Sequence, residues 1–364
     1  MPDRFPPPLA GDVQDVLAHT REVWEAVRGR RVFVTGGTGF FGWWLLASFT
    51  HACDALELGA EAVVLTRSPE AFRARAPELA SHPAVRLVAG DVRTFTAADL
   101  REQAGSDARP FEYVMHAATE ASAKLLADDP LLMIDTIVQG TRSALELAGA
   151  VGARRFLLTS SGAVYGRQPP ELAHVPEEYT GGPDCTLPGS AYGEGKRLAE
   201  TMCAAYGAAR GIDTVIARCF AFVGPHLPLD THFAVGNFIR DALRGWPIRI
   251  GGDGTPLRSY LYAADLAAWL WTLLVRGDGG RAYNVGSSRA LSIAEVARAV
   301  DGALGGGHGV EIATAPVAGA PAQPYVPATA RAERELGLRE WVPLEEAIRR
   351  TAEWARRTGA VLPS

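Results

Sequence analysis

Residues 30–46 read RRVFVTGGTGFFGWWLL: an apolar run, three glycines spaced GxxGxxG at Gly36, Gly39 and Gly42, then a second apolar run with helical character. A strand, a tight turn and a helix in that order make a phosphate-binding unit. Glycine permits the turn and lets the backbone approach a pyrophosphate closely, while the helix N-terminus presents free N–H groups and a partial positive charge. Gly36, Thr38, Gly39, Phe40, Phe41 and Gly42 are therefore candidate cofactor contacts.

Outward from this unit, short apolar runs alternate with helical segments: EAVVLTR (61–67), VRLVAGD (85–91), YVMHAAT (113–119), RRFLLTSS (154–161) and TVIARCF (214–220). The alternation predicts an α/β chain, a Rossmann-type doubly wound parallel sheet with helices on both faces. Helices are expected over 130–151 and 191–210. Upstream, Val13, Val16, Leu17, Val23, Trp24 and Val27 approximate the stripe of a covering helix. Downstream of 220 the alternation is lost, and Gly and Pro concentrate in 222–230, 244–256 and 316–327. The expected division is an arm and helix over 1–30, a dinucleotide-binding domain over 31–220, and a smaller, mainly substrate-binding region over 221–364. Ligands of open α/β sheets bind at the carboxyl edge, between such parts.

Composition narrows the class. The 364 residues carry 36 Lys+Arg against 41 Asp+Glu, a net charge of -5, which offers no electrostatic footprint for nucleic acid. Cys53, Cys185, Cys203 and Cys219 form no CxxC pair and have no accompanying His cluster, so a reduced, cytoplasmic setting and no metal are expected. Neither a signal peptide nor a membrane-spanning run is expected.

At the end of the second strand an NAD site usually carries an acid for the ribose hydroxyls; here the run is Leu65-Thr66-Arg67-Ser68. Arg67 suits a 2′-phosphate or adenine stacking, so NAD is expected with NADP left open. Asp91, after the third strand, is either a partner for the adenine amino group or a turn-capping residue. Further on, Tyr192 and Lys196 stand four residues apart, on one face if 191–210 is helical. A neighbouring ammonium favours the phenolate, so Lys196 is expected to lower the Tyr192 pKa toward that of a general base. Ser161, where the fifth strand ends, would offer a hydroxyl to the same substrate oxygen.

With these elements in view, the chain resembles the extended short-chain dehydrogenase/reductase family, specifically its nucleotide-sugar epimerase, dehydratase and decarboxylase branch. The resemblance is carried by TGGTGFFG, GDV at 90–92, HAA at 116–118, SSGAVYG, YGEGK, VGNFI, GDGTPLRSYLYAADLA and YNVGSS, and spans nearly all of 31–358. The run YGEGKRLAETMCAAY is similar to the UDP-glucuronate decarboxylase group. The resemblance implies Ser161, Tyr192 and Lys196 as catalytic, with Lys196 also bonding the nicotinamide ribose. It implies Val92, Ala117, Ala118 and Phe220 as further cofactor contacts, Asn237 and Arg258 as contacts to a nucleotide diphosphate, and a homodimer formed through the 130–151 and 191–210 helices.

Departures from the family pattern direct the functional expectation. Where the dehydratases carry an Asp-Glu pair after the catalytic hydroxyl, this chain has Gly162 and Ala163; decarboxylases also usually have Glu at the second position. Ala221 stands where Asn is general. Glu120, after the fourth strand, is the one carboxylate expected near the sugar, as a catalytic or substrate-binding group or else a helix-terminal charge. His116 is expected to be a packed residue; His226 and His232 could touch substrate, but nothing in their spacing requires it. The expected reaction is NDP-sugar 4-epimerisation, with Tyr192 removing the C4 hydroxyl proton and hydride returning from retained cofactor. NDP-hexuronate decarboxylation and NADPH-dependent keto-sugar reduction are the alternatives, with a non-catalytic dinucleotide sensor behind them.

Overall fold

The computed structural model describes residues 4–105, 109–119, 123–231 and 233–360. Glu120 and His232 lie outside the described residues. Seven strands form the central sheet: β1 (Arg31–Thr35), β2 (Glu61–Thr66), β3 (Val85–Ala89), β4 (Phe111–His116), β5 (Arg155–Ser161), β6 (Asp213–Cys219) and β7 (Ala282–Val285). Their order is β7-β6-β5-β4-β1-β2-β3, all parallel. β1 and β4 are buried along their whole length, as strands covered on both faces must be. Strand order reverses at β1, which pairs with β2 on one side and β4 on the other; the carboxyl ends of β1 and β4 therefore open a crevice.

The N-terminal covering segment is two helices, Leu9–His19 and Arg21–Val27, broken at Thr20. Thr20 turns its hydroxyl back onto the Val16 carbonyl, which competes with continued helix. Trp24 packs against Trp271 at 5.0 Å between ring centroids, so the pair covers the sheet-facing helices. Asp12 is fully buried, accepting hydrogen bonds from Tyr262 Oη at 2.6 Å and Arg350 Nη1 at 2.5 Å. Burial pushes its carboxyl up to about 6 against the pull of those two partners. The contact ties the first helix to the last, Leu344–Thr358.

The expected helices form as Pro130–Ala150 and Ala191–Arg210. Pro130 starts the first with Asp129 capping it through the Leu132 N–H, and Gly211 stops the second in the left-handed conformation. Beyond residue 220 the chain returns to the sheet through the helix Ala263–Arg276 and β7, and its short strands Leu257–Arg258 and Pro324–Tyr325 pair beside the carboxyl edge. Among the described residues no helix is long and apolar enough to cross a membrane.

Candidate active site

A cleft of about 860 Å³ runs along the carboxyl ends of the sheet, from β3 across to β6, and ends under the C-terminal part. The phosphate loop forms its floor. Gly36 has φ +71, and a Cβ there would lie 2.4 Å from the Ala117 carbonyl carbon. Gly42 faces away from the cleft, where a Cβ would meet the Gly37 backbone at 2.2 Å. Its role is to let the helix Phe40–Leu56 pack onto its own loop. That helix starts at Gly39 with no side-chain cap, which leaves its first N–H groups for a ligand. This cradle fits a dinucleotide pyrophosphate, and Phe40 and Phe41 wall it.

At the far end the cleft is lined by Leu65, Thr66, Arg67, Asp91, Val92 and Arg93. Asp91 lines the cleft and takes the turn-capping role, its carboxylate engaged by the Arg93 guanidinium at 2.6 Å and the Arg93 N–H at 2.9 Å. These bonds, the guanidinium first, hold its pKa below the usual carboxylate range. Ala117 and Ala118 form the wall opposite the loop. They are fixed by hydrogen bonds from their N–H groups to the Thr35 carbonyl and hydroxyl. His116 sits behind them between Thr35 Oγ1 (2.7 Å) and Thr141 Oγ1 (3.2 Å), its pKa pushed by burial down to about 3. It is a packed, neutral imidazole.

Ser161, Tyr192, Lys196 and Phe220 converge at the other end. β5 delivers Ser161, whose Oγ accepts the Ala163 N–H at 3.1 Å and which lines the cleft beside Tyr192. The helix Ala191–Arg210 delivers Tyr192 and Lys196 on one face. Lys196, 2% exposed, makes no ion pair among the described residues; its Nζ donates to Thr119 Oγ1 and the Thr159 carbonyl, each at 2.7 Å, and lies 6.0 Å from the Tyr192 ring centroid. Here the electrostatics differ from the expectation. Burial raises Tyr192 to about 12, opposed by the Ser161 hydrogen bond rather than by Lys196, and burial lowers Lys196 to about 8. Desolvation penalises both charged forms in a dry cleft.

The Lys196 shift has a measurable consequence. A lysine depressed from 10.5 to about 8 binds fewer protons folded than unfolded between those values, so stability rises with pH through that window. Below it, burying the charge costs on the order of 3 kcal/mol. Lys196→Met is expected to stabilise the protein at neutral pH by about 1–3 kcal/mol, after loss of the two hydrogen bonds, with the gain shrinking from pH 8 upward. Urea denaturation across pH measures this.

Behind Ser161 a polar network fixes the strand end. Glu200 accepts from Ser160 Oγ at 2.5 Å and from Arg218 Nη2 at 2.7 Å, and Arg218 Nη1 donates to Tyr165 Oη at 2.9 Å. Tyr165 in turn donates to Asn284 Oδ1 at 2.7 Å. Arg218→Met leaves the Glu200 charge enclosed without its cation, and a loss of about 3–5 kcal/mol is expected in denaturant melts.

Several residues fall elsewhere than expected. Asn237 does not line the cleft; its Oδ1 accepts from Arg240 Nη1 at 3.2 Å, one helical turn on. His226, at φ +69, stacks on Trp43 at 3.8 Å and is pushed by burial down to about 3, so it packs rather than faces substrate. Arg258 does line the cleft, with its guanidinium 5.7 Å from the ring centre of Tyr325. Three residues were not singled out from the sequence. Arg75 donates to the Thr38 carbonyl of the phosphate loop, Thr119 holds Lys196, and Tyr325 lines the cleft with its ring on Phe220. Only Thr119 carried a signal, its place directly after YVMHAA.

The comparisons with known proteins agree with this geometry. A family model described as the NAD dependent epimerase/dehydratase family matches residues 32–286. A UDP-glucuronic acid decarboxylase 1 from Xenopus tropicalis is 31% identical over 329 residues, 90% of this chain and 72% of that one. Among solved structures, a UDP-glucose 4-epimerase from Thermus thermophilus in complex with NAD aligns at 27% identity and TM-score 0.72, over 90% of this chain and 99% of the other. A dTDP-glucose 4,6-dehydratase from Streptomyces venezuelae with NAD bound aligns at 26% and 0.74, over 90% and 97%. Because the matched span takes in the glycine cradle, the serine and the tyrosine–lysine face together, the chain belongs to the NAD-dependent epimerase/dehydratase family.

Proposed function

We propose that this enzyme oxidises C4 of a nucleotide-diphosphate sugar, with Tyr192 as base, and returns it as the C4 epimer with NAD retained throughout. The observation that carries the reading is the convergence of Ser161, Tyr192 and Lys196 at one end of the cleft, with Gly162 and Ala163 directly after the serine. Asp91 is the cleft's carboxylate among the described residues, and it stands at the far end, paired with Arg93. Proton removal and return at one hydroxyl needs a phenol and its hydrogen-bond partner; elimination of water needs an acid and a base more.

When bound, NAD supplies the two-electron acceptor and donor of the reaction. The phosphate loop, Arg67, Val92, Ala117, Ala118 and Phe220 would hold it. A charged Lys196 beside Tyr192 would favour the phenolate once the sugar closes the cleft, and the Nζ proton left after Thr119 and Thr159 would bond the nicotinamide ribose. Ser161 orients the phenol oxygen, and Arg258, a fork-shaped donor, would take the diphosphate within a substrate-binding part formed mainly by 221–364. Asn237 would have to turn its amide N–H into the cleft, which it does not line.

A second reading, decarboxylation of an NDP-hexuronic acid, is favoured by the 31% identity to a UDP-glucuronic acid decarboxylase. Both readings share C4 oxidation, and a ketone at C4 lets a C5 carboxylate leave without a protein carboxylate. Turnover in D2O separates them. Epimerisation returns a product of unchanged carbon-bound hydrogen, whereas decarboxylation places a solvent deuteron at C5.

Leu131 (72% exposed) and Leu198 (47%) stand on the two helices that would meet a second copy, and we expect a homodimer in solution; light scattering that gives the mass of one chain would contradict it. The four free thiols, one of them exposed, suit a reducing, cytoplasmic compartment.

A further inference from the structure

Among its 36 basic residues the chain has two lysines, Lys124 and Lys196, and Lys196 is the one that lines the cleft. Three segments meet at its Nζ: the helix Ala191–Arg210 that carries it, the end of β5 through the Thr159 carbonyl, and Thr119, three residues beyond β4. Both contacts measure 2.7 Å. The Thr119 hydroxyl in turn reaches the Ala118 carbonyl at 2.8 Å, in the wall opposite the phosphate loop.

An ammonium only donates and a carbonyl only accepts, so the partners of the Thr119 hydroxyl fix its roles. Its one proton goes to Ala118, and its oxygen faces Lys196 as an acceptor. The Thr159 carbonyl is an acceptor as well, while the Thr159 hydroxyl is turned to the His116 carbonyl at 3.2 Å. Lys196 therefore supplies two protons to the protein. An ammonium has a third for the cleft, whereas a neutral amine that keeps both contacts has only a lone pair left. The titratable groups that face Lys196 among the described residues leave its charge to these two oxygens. Glu200, one helical turn on, is taken by Arg218 and Ser160. Cys203 on the same helix, Cys219 on β6 and Tyr192 are raised by burial, and His116 on β4 is held neutral by it.

We propose that Thr119 is a positioning residue for Lys196: its oxygen, able only to accept, takes one ammonium proton as the Thr159 carbonyl takes another, which aims the third into the cleft and favours the charged lysine. Hydrogen bonds from an ionised donor are about twice as strong as neutral ones, so the Thr119 oxygen stabilises the ammonium more than the amine. Without that oxygen the ammonium keeps one fixed contact in a dry site, and the amine, which needs fewer acceptors, gains on it.

The proposal rests on the C4-oxidation reading for its kinetic arm alone. Its test is a pH titration by NMR of the NAD-loaded protein carrying lysine labelled with carbon-13 at Cε. Two lysines give two signals; Lys196→Met removes one, and Lys124 is the internal control. Burial pulls Lys196 down to about 8, so its midpoint falls where the fold can be titrated. Thr119→Val, which keeps the shape and loses the oxygen, is expected to lower that midpoint by about one pH unit, roughly tenfold less ammonium at a given pH above it. Thr119→Ala is expected to do the same, and Thr119→Ser, which keeps the hydroxyl, to leave the midpoint at its wild-type position. The basic limb of kcat/KM is expected to move down with the midpoint, while KM for the sugar nucleotide changes little. A midpoint unmoved by Thr119→Val and Thr119→Ala, or moved equally by Thr119→Ser, overturns the positioning role. A midpoint that moves while the basic limb stays in place upholds Thr119 as the holder of the charge and overturns the part given to Lys196 in the C4 chemistry.

Discussion

Tyr192→Phe is expected to lower turnover by roughly 10²–10⁴-fold with cofactor retention and melting temperature little changed. The size follows from what the hydroxyl does rather than what the ring packs against. The ring is held on the helix Ala191–Arg210 beside Ser161, and phenylalanine keeps that packing. Only the proton acceptor is lost. A proton still has to leave the C4 hydroxyl during oxidation, and among the described residues of that end the other titratable groups are poor substitutes. Lys196 is committed to Thr119 and Thr159, Cys219 is pushed up to about 12 by burial, and Tyr325 is shifted up by the same cause. Steady-state kinetics with a protein-bound NAD assay checks this, and a loss under tenfold would remove Tyr192 from the base role.

Gly36→Ala is expected to weaken NAD binding by about 100-fold or more. Two costs act together. The left-handed φ of +71 costs a non-glycine residue about 1–2 kcal/mol, and the new methyl would sit 2.4 Å from the Ala117 carbonyl carbon. Neither neighbour is a flexible side chain, so the loop must retreat from β4 and lose the bond from the Ala117 N–H to the Thr35 carbonyl at 3.1 Å. About 2.8 kcal/mol of combined strain corresponds to a hundredfold change in affinity. Calorimetric titration of NAD into the stripped protein measures it. The same substitution at Gly105, which also has positive φ but open space around it, should leave NAD affinity unchanged.

Which parts of this site could be read from the chain depends on the range of the interaction that forms them. The phosphate loop was legible because its constraint is local: glycine is needed where a turn reverses within a few residues, and Gly36 and Gly42 each face backbone. Tyr192 and Lys196 were legible through helical spacing, and the helix has the expected bounds. Their electrostatics were not, because desolvation depends on everything that encloses the cleft, and the shift of Tyr192 runs opposite to the pairwise expectation. Asn237 illustrates a different failure. Its residue type suits a phosphate contact, but the helix sets it outside the cleft lining, where its amide oxygen accepts from Arg240. Tyr325 had no local signature at all. Two-residue strands joining distant segments set its position, which puts its hydroxyl against Gly162 in the cleft. The first helix broke at Thr20 for a short-range reason that apolar periodicity does not register, a hydroxyl returning to the Val16 carbonyl.

The most direct test of C4 epimerisation is mass spectrometry of the products formed from a panel of nucleotide hexoses and hexuronic acids with NAD. The account predicts an isomer of unchanged mass from a nucleotide hexose, and no product lighter by water from any member of the panel. Loss of carbon dioxide from a hexuronic acid, with the hexoses returned untouched, would contradict the epimerase assignment and leave Ser161, Tyr192 and Lys196 serving the decarboxylation reading.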